Sequence, residues 1–335
     1  MTTDRNLDPI IATPTTIVTG FLGAGKTTFI NRLLATRPDN DKWALLINEF
    51  GKIGIDGSLV NQNADIAIKE VSGGCICCTS ALPLQIALVQ LLGEHRPARL
   101  IIEPTGLSHP EELLGELNEP HWQTSLKLHA VICLINLKQW QQPDYRAFDG
   151  YIAHAKSADI IAYHNTNDDG VPDEFFAWIA DINPTATLIN TNTATPDEIH
   201  TALHTHRKPT PQRQTVALSL APKTAPSTPN KIVPPYRYHE TMGEHQVGGW
   251  HLPSDWVFDS YDLQKWLLNR PNYLRIKGVV KTNEGCLSIN ITPESISIQD
   301  YSDGNGNKIE LIFAQQHSDD TWQLWDDELL SYRLD

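Results

Sequence analysis

Short apolar runs alternate with amphipathic stretches over the first and longer part of the chain. Strands are predicted at 15–19, 43–47, 99–102, 128–135, 159–162 and 186–189. Helices are predicted at 27–35, 81–92, 111–117, 173–179 and 196–203. This alternation predicts an α/β fold in which a parallel sheet carries helices on both faces. In such a sheet a ligand binds at the carboxyl ends of the strands.

A further strand-like alternation at 65–71 leads into a cysteine cluster. The pattern changes at about residue 208, where a segment rich in Pro, Thr, Ser and Gln predicts a linker. Beyond it, strands are predicted at 247–258, 276–281 and 308–313, a hairpin at 287–291 and 296–299, and helices at 262–268 and 319–330. The predicted organisation is a tail over 1–14, an α/β domain over 15–207, a linker over 208–235 and a smaller α+β domain over 236–335.

Composition limits the classes of function. The length of 335 residues allows two domains, and the net charge of −14 disfavours general affinity for nucleic acid or an anionic membrane. No apolar run approaches the roughly 20 residues that a membrane-spanning helix needs. Residues 1–14 lack the apolar core of a signal peptide. We therefore expect a cytoplasmic protein with no nucleic-acid or membrane partner.

The strongest local motif is Gly-Phe-Leu-Gly-Ala-Gly-Lys-Thr at 20–27, between a predicted strand and a predicted helix. Glycines let backbone N–H groups close around phosphate oxygens, and the helix N-terminus adds positive potential. Lys26 can reach the β- and γ-phosphates, and the Thr27 hydroxyl can ligate Mg²⁺. A chance glycine-rich turn would not require the Lys-Thr pair in this frame. The motif predicts a triphosphate site formed by Gly20, Gly23, Ala24, Gly25, Lys26, Thr27 and Thr28.

The cysteine cluster is the second strong motif, with Cys75, Cys77 and Cys78 inside Ser-Gly-Gly-Cys-Ile-Cys-Cys-Thr. Zn²⁺ takes tetrahedral thiolate ligands, and three cysteines leave one position for another side chain, water or a partner's ligand. A strained disulfide between Cys77 and Cys78, or three inert apolar thiols, are the alternatives. The other two cysteines, Cys133 and Cys286, lie singly in apolar strands, where burial is expected.

Together with three further segments, the loop and the cysteine cluster resemble the CobW-like family of P-loop GTPases, which are described as zinc-handling metallochaperones. The likeness covers most of 15–203 and about 245–334. The matching segments are 19–28, 47–51 continuing through 54–57, the Gly-Gly-Cys-Ile-Cys-Cys run at 73–78, Ile-Ile-Glu-Pro-Thr-Gly-Leu-Ser-His-Pro at 101–110, and Arg-Ile-Lys-Gly-Val at 275–279.

The resemblance implies a P-loop NTPase sheet, GTP/GDP and Mg²⁺ as cofactors, bound Zn²⁺ and a client metalloprotein as partner. Glu103, which ends a predicted strand, would hold Mg²⁺ with Thr27 or orient the attacking water. Gly106 would place its N–H on the γ-phosphate. Glu49, in a second switch at 48–51, is a candidate ligand for the zinc held by the three cysteines. A solvated loop carboxylate is the alternative for Glu49.

One departure from the family pattern concerns the base. The segment that reads guanine usually has Asn-Lys-x-Asp, whereas this chain has Tyr-His-Asn-Thr-Asn-Asp at 163–168. A shift by one residue makes Asn165 and Asp168 the candidate base-binding residues. Aligned without a gap, His164, Asn165 and Asn167 instead replace the family's Asn, Lys and Asp. The Asn167 amide in place of the carboxylate would then offer one acceptor and an unmatched donor. We therefore expect a less strict preference for GTP. A second departure is Asn136, where the family often has Asp.

The leading hypothesis is a slow GTPase that binds zinc and delivers it to a client metalloprotein. A small-molecule kinase is one alternative, although the cysteine cluster would have no role in it. A metal sensor or buffer that binds nucleotide without meaningful turnover is the other. The sequence leaves a homo-oligomer open. It also leaves open whether histidines in and around the linker bind a metal.

Overall fold

The computed structural model describes residues 12–48, 65–71, 82–108, 110–165, 170–207, 234–242, 245–301 and 307–334. Its first sheet is parallel, with strand order β3-β2-β4-β1-β5-β6-β7. The strands are β1 (Thr13–Thr19), β2 (Trp43–Asn48), β3 (Ile66–Val71), β4 (Arg99–Glu103), β5 (Leu126–Asn136), β6 (Ile160–His164) and β7 (Thr187–Asn190).

Helices cover both faces of this sheet, because the strands carry apolar side chains on both faces. Ile17 packs toward one face and its neighbour Val18 toward the other. The helices are α1 (Lys26–Ala35), α2 (Leu82–His95), α3 (Pro110–Leu117), α4 (Leu137–Trp140), α5 (Pro143–Ala147), α6 (Asp149–Lys156), α7 (Asp173–Ile182) and α8 (Pro196–His204). Helices α1 and α8 share the face of Val18, while α2 and α3 share the face of Ile17.

A second, mainly antiparallel sheet follows, with the order β13-β12-β11-β14-β9-β8 and two short strands beside it. Two helices pack on it through a core that includes the buried Trp250 and Trp322. The elements are β8 (Tyr236–Met242), β9 (His245–Leu252), β10 (Val257–Phe258), α9 (Ser260–Leu268), β11 (Tyr273–Thr282), β12 (Gly285–Thr292), β13 (Ser295–Asp300), β14 (Asn307–Phe313), α10 (Asp319–Ser331) and β15 (Arg333–Leu334).

The predicted fold class, a parallel α/β sheet with a smaller α+β unit after it, is confirmed. One predicted strand was wrong in detail, and several elements were not predicted. The predicted strand at 247–258 is two strands, β9 and β10, separated at Pro253 and the residues after it. Helices α4 to α6 and strand β8 were not predicted, because short helices and an aromatic–basic alternation give weak periodic patterns. Most of the predicted linker, 208–233, lies outside the described residues.

The two sheets contact each other beside the glycine-rich loop. One apolar cluster contains Phe21 and Tyr151 from the first unit together with Val279 and Ile312 from the second. At its edge, Lys138 Nζ donates to the Glu294 carbonyl oxygen at 2.7 Å, and the Tyr145 hydroxyl donates to the Glu294 carboxylate at 2.5 Å. The β12–β13 turn is therefore fastened to the residues that follow β5.

Candidate nucleotide site

The glycine-rich loop has a backbone that side chains would disturb. Gly23 has φ of +74° and Gly25 has φ of +87°, a region that L-residues rarely adopt. Helix α1 begins at Lys26, directly after the loop, so its unpaired N–H groups face the loop interior. The loop therefore has the backbone form of an anion site.

Lys26 lies at the base of this loop. Its side chain is only 5% exposed, and Nζ donates to the carbonyl oxygens of Gly20 at 3.0 Å and Phe21 at 3.3 Å. Ala24 is buried, Thr27 is half-buried and Thr28 is exposed at the first turn of α1. The ammonium group is held within the loop that would surround the phosphates.

Two polar side chains are buried where neighbouring strands end. Asn48 ends β2, Glu103 ends β4, and each is 2% exposed. The register pairs Ile47 with Glu103, so both side chains lie at the same edge. Neither amide atom of Asn48 has a hydrogen-bond partner among the described residues. A buried amide without a partner calls for an ion or water, and Mg²⁺ prefers such oxygen ligands. Asn48 and Glu103 therefore fit Mg²⁺, which would neutralise phosphate charge there, while the Thr27 hydroxyl stays a predicted ligand.

Gly106 packs directly against the glycine-rich loop. A Cβ on Gly106 would lie 2.6 Å from the Leu22 backbone nitrogen. The buried His154 lies between two strand ends, with Nε2 3.1 Å from the Gly106 carbonyl oxygen and Nδ1 2.7 Å from Thr19 Oγ1. Since a carbonyl only accepts, Nε2 carries the proton and Nδ1 accepts from the threonine hydroxyl. The histidine thus holds the segment after β4 against the end of β1.

A cleft of about 270 Å³ connects these groups. Lys26, Asn48, Glu103 and Gly106 line one side. The opposite side comes from the second sheet and was not predicted as part of the site; it contains Arg275, Lys277, Glu310 and Ile312. The available signal was the Arg-Ile-Lys segment, in which charged and apolar residues alternate along one strand. We refer to this space as the phosphate cleft.

A second cavity, of about 520 Å³, is lined by residues of α1 other than Lys26. We refer to it as the base cavity; its lining is Gly25, Thr28, Phe29, Arg32, Leu134, His164, Thr191 and Asn192. His164 Nε2 donates to the Ala24 carbonyl oxygen at 3.1 Å. Burial lowers the pKa of His164, and the bond to Ala24 opposes this only in part, so the imidazole is neutral at pH 7.

Asn165, predicted to bind the base, uses its side chain inside its own loop. Its Nδ2 donates to the Gly170 carbonyl oxygen at 3.1 Å, and it is absent from the residues that line the base cavity in the described chain. Its backbone N–H donates to Asn192 Oδ1 at 2.9 Å, which joins the loops after β6 and β7. Asp168, the other candidate, lies outside the described residues. Asn136 caps α4 by accepting from the Lys138 N–H at 2.9 Å.

The predicted zinc ligands Glu49, Cys75, Cys77 and Cys78 also lie outside the described residues. Within the described ranges, no group of three or more His, Cys, Asp or Glu could hold a metal ion. Cys133 is buried as predicted, and burial raises the pKa of its thiol to about 12. Cys286 is only half-buried. No helix in the described ranges is both long and apolar enough to cross a bilayer.

Comparisons with known proteins agree with this geometry. The family model described as "CobW/HypB/UreG, nucleotide-binding domain" matches residues 14–189. The chain is 32% identical to the zinc chaperone YeiR of Escherichia coli, over 96% of this chain and 98% of that protein. It is 39% identical to the zinc chaperone CobW of a Sinorhizobium species, over 37% of this chain and 36% of that protein.

Among solved structures, it is similar to the zinc-bound YjiA GTPase of E. coli, with 17% identity, a TM-score of 0.44, and coverage of 96% of this chain and 99% of that one. The family model covers the glycine-rich loop, the ends of β2 and β4, and the cysteine cluster, and the YeiR likeness extends over nearly the whole chain. The chain belongs to the CobW/HypB/UreG family of nucleotide-binding proteins.

Proposed function

We propose that this protein is a cytoplasmic GTPase that binds zinc and transfers it to a client metalloprotein, with nucleotide hydrolysis changing its hold on the metal. The observation that carries the GTPase part is the phosphate cleft. The buried Lys26 lies in a loop whose backbone needs glycine at positions of positive φ. The Glu103 carboxylate and the Asn48 amide are buried beside it, at the ends of two strands. These groups suit a Mg²⁺-bound triphosphate.

The zinc part is supported by the three closely spaced thiols, by relatives named zinc chaperones, and by the register of two strands. Asn48 and Val71 are partners at the carboxyl ends of β2 and β3. Glu49 directly follows the first strand end, and Cys75 follows the second after three residues. An extended chain covers about 3.5 Å per residue, so the candidate ligands start within reach of one another.

The same register gives the coupling between nucleotide and metal a physical route. Asn48 lines the phosphate cleft, and the chain leaves that cleft directly into Glu49. A γ-phosphate with its Mg²⁺ would draw Asn48 into a defined position, and this would move the carboxylate that is proposed as the fourth zinc ligand. Loss of the γ-phosphate would release the segment, as in other nucleotide switches.

A competition titration with a zinc chelator tests this function on the apo, GDP and GTP-analogue states of the full chain. We expect one tight zinc per chain, an affinity that differs between nucleotide states, and weaker binding at low pH, because thiolate ligands must be deprotonated. Cys77→Ser should weaken zinc binding, whereas the matched thiol control Cys286→Ser should leave it unchanged.

Two results would contradict the proposal. Equal zinc affinity in all nucleotide states would remove the coupling, and unchanged affinity in Cys77→Ser would move the metal away from the cluster. Hydrolysis of GTP by the isolated protein is expected on the order of 10⁻³ to 10⁻² per second. Turnover of several per second, or transfer of phosphate to an added small-molecule acceptor, would favour a different enzyme.

A further inference from the structure

Strand β11 carries two buried cations on one face, together with the apolar Val279, and apolar side chains on the other face. Ile276 and Val280 belong to the core that packs on α9 and α10. Arg275 and Lys277 lie on the opposite face and line the phosphate cleft, although each is at least nine-tenths buried. A period of two residues gives this separation in any strand. In β11 the face with the two cations is not turned to solvent but lines the buried phosphate cleft.

The two cations differ in their surroundings. Lys277 stands opposite Glu310 in the β11–β14 register, and the Glu310 carboxylate also accepts from the Tyr238 hydroxyl at 2.6 Å. Arg275 stands opposite Ile312, which has no charge to offer. Lys277 therefore has a carboxylate beside it in the sheet, whereas Arg275 has an apolar neighbour.

Arg275 is 6% exposed, and the hydrogen bond it makes within the described ranges joins Nε to Asn290 Oδ1 at 3.1 Å. A guanidinium group has five N–H donors in a planar fork. Burying a cation is costly unless an anion and further acceptors compensate it. The bond to Asn290 fixes the plane of the group and leaves its terminal nitrogens for another acceptor in the cleft.

The lining of the cleft has an excess of positive charge. Lys26, Arg275 and Lys277 contribute cations, while Glu103 and Glu310 contribute carboxylates. Leu22 and Lys26 of the loop that would hold the β- and γ-phosphates are part of this lining. A polyphosphate oxygen is the anion that this position would present to Arg275, since Arg matches phosphate with two parallel donors.

We infer that Arg275 is a catalytic residue of the proposed GTPase, supplied by the C-terminal sheet of the same chain and contacting the γ-phosphate. The inference rests on the proposed function and assigns a further residue to it. In hydrolysis the water oxygen bonds to the γ-phosphorus while the bond from that phosphorus to the β–γ bridging oxygen breaks. The bridging oxygen leaves with the electron pair on GDP, and a proton is released with phosphate. Arg275 would stabilise the negative charge that develops on these oxygens.

The docking of the second sheet makes this contribution possible without a partner protein. A Cβ on Gly23 would lie 2.6 Å from Thr292 Cγ2, so the end of β12 touches the glycine-rich loop itself. The turn after Thr292 is held through Glu294 by Lys138 and Tyr145. Arg275 is thereby kept beside the cleft by contacts within one chain.

Single-turnover hydrolysis of GTP by the full chain tests this role, with GTP and GDP affinities measured alongside. A GTPase without an arginine at the site turns over at about 3–5 × 10⁻⁴ per second, whereas one that carries its arginine within the chain turns over at about 10⁻² per second. We therefore expect Arg275→Ala to slow hydrolysis at least about tenfold while GDP affinity changes less than about threefold. Lys281→Ala is the matched control, because Lys281 is an exposed cation on the same strand.

Arg275→Lys keeps the buried positive charge, so it should fold even if Arg275→Ala does not. Hydrolysis should also be slow in this variant, because an ammonium group cannot donate two parallel hydrogen bonds to the phosphate. Wild-type protein should bind GDP with aluminium fluoride, which mimics the transferred phosphoryl group, without any partner, and Arg275→Lys should not. Hydrolysis by Arg275→Lys and by folded Arg275→Ala within threefold of the wild-type rate would overturn the inference. If wild-type protein neither binds nor hydrolyses GTP, the proposed function itself fails.

Discussion

The phosphate cleft and the base cavity are both lined by residues of the glycine-rich loop and the start of α1, and they are built differently. The phosphate cleft is lined by buried charges and by backbone packed too closely for a Cβ, as at Gly106. The base cavity is larger, and its polar lining comes from side chains on separate elements: Thr28 and Arg32 on α1, His164 at the end of β6, and Thr191 and Asn192 after β7. Phosphate binding at the proposed site would thus depend on main-chain shape as well as on buried charges, whereas base binding would depend on individual side chains.

This difference explains why one half follows the family pattern and the other departs from it. At Gly106 any larger residue would bring a Cβ against the Leu22 backbone, and no neutral side chain supplies the charge that the buried Lys26 places among carbonyl oxygens. In the base cavity, the imidazole of His164 makes a hydrogen bond to Ala24 that another donor of similar length could also make. Side chains there can change while the loop stays intact.

The largest effect should come from Lys26→Ala, which tests the phosphate half. We expect affinity for GTP to fall at least about a hundredfold, roughly 3 kcal/mol, because the cation at the phosphates is lost. The protein should stay folded, since the side chain contacts carbonyl oxygens and does not fill the core. Titration calorimetry measures the affinity, and Lys42→Ala, which removes an exposed lysine, is the control. Unchanged GTP affinity in folded Lys26→Ala would reject the phosphate site.

Gly106→Ala should have an intermediate effect on the same half. The new Cβ would meet the Leu22 backbone at 2.6 Å, and relief of such overpacking costs about 1–3 kcal/mol. We expect GTP affinity to fall about tenfold, because the displaced backbone belongs to the loop around the phosphates. Gly115→Ala is the control, since nothing lies within 4 Å of its Cβ position. Equal GTP affinities for both variants would mean that packing of the segment after β4 against the glycine-rich loop does not affect nucleotide binding.

His164→Asn tests the base half, where smaller effects are expected. Wild-type protein should prefer GTP over ATP by less than about a thousandfold, roughly 4 kcal/mol. The substitution would restore the residue type usual in the family, so we expect the ratio to rise a few-fold while affinity for inorganic triphosphate stays the same. Calorimetry with GTP, ATP and inorganic triphosphate distinguishes a change in base preference from a change in phosphate affinity. A wild-type ratio above a thousandfold would show that the base is read fully despite the altered segment.

The smallest effect concerns pH and the same imidazole. Because burial lowers the pKa of His164 below its ordinary value of 6.5, the unfolded chain binds this proton more readily than the folded protein. Stability should therefore be fully present above pH 6.5 and should decline as the pH falls from 6.5 through the lowered value. Urea unfolding at pH 7.5, 6.5 and 5.5 measures this. His164→Asn should flatten the decline, and parallel curves for the two proteins would place the titration elsewhere.

Local sequence patterns predicted helices and strands reliably where the apolar periodicity continues along the whole element. The strands at β1, β2 and β4 and the helices at α1 and α8 lie within a few residues of their predicted positions, because apolar periodicity persists along them. The helices between Leu137 and Lys156 were missed, since each is short and Pro143 and Gly150 interrupt the pattern. These helices carry His154 and Tyr145, so two contacts that shape the site were missed with them.

The sequence by itself determined that this protein has a P-loop, a parallel α/β sheet, three clustered thiols and membership of its family. Each of these depends on short-range rules: backbone sterics at glycine, the period of strands and helices, and the spacing of ligands. Only the tertiary structure decided that Arg275 and Lys277 line the same cleft as Lys26, and that His164 lines the cavity beside Gly25. Those positions follow from strand order and from the docking of two sheets, which depend on contacts between residues far apart in the chain.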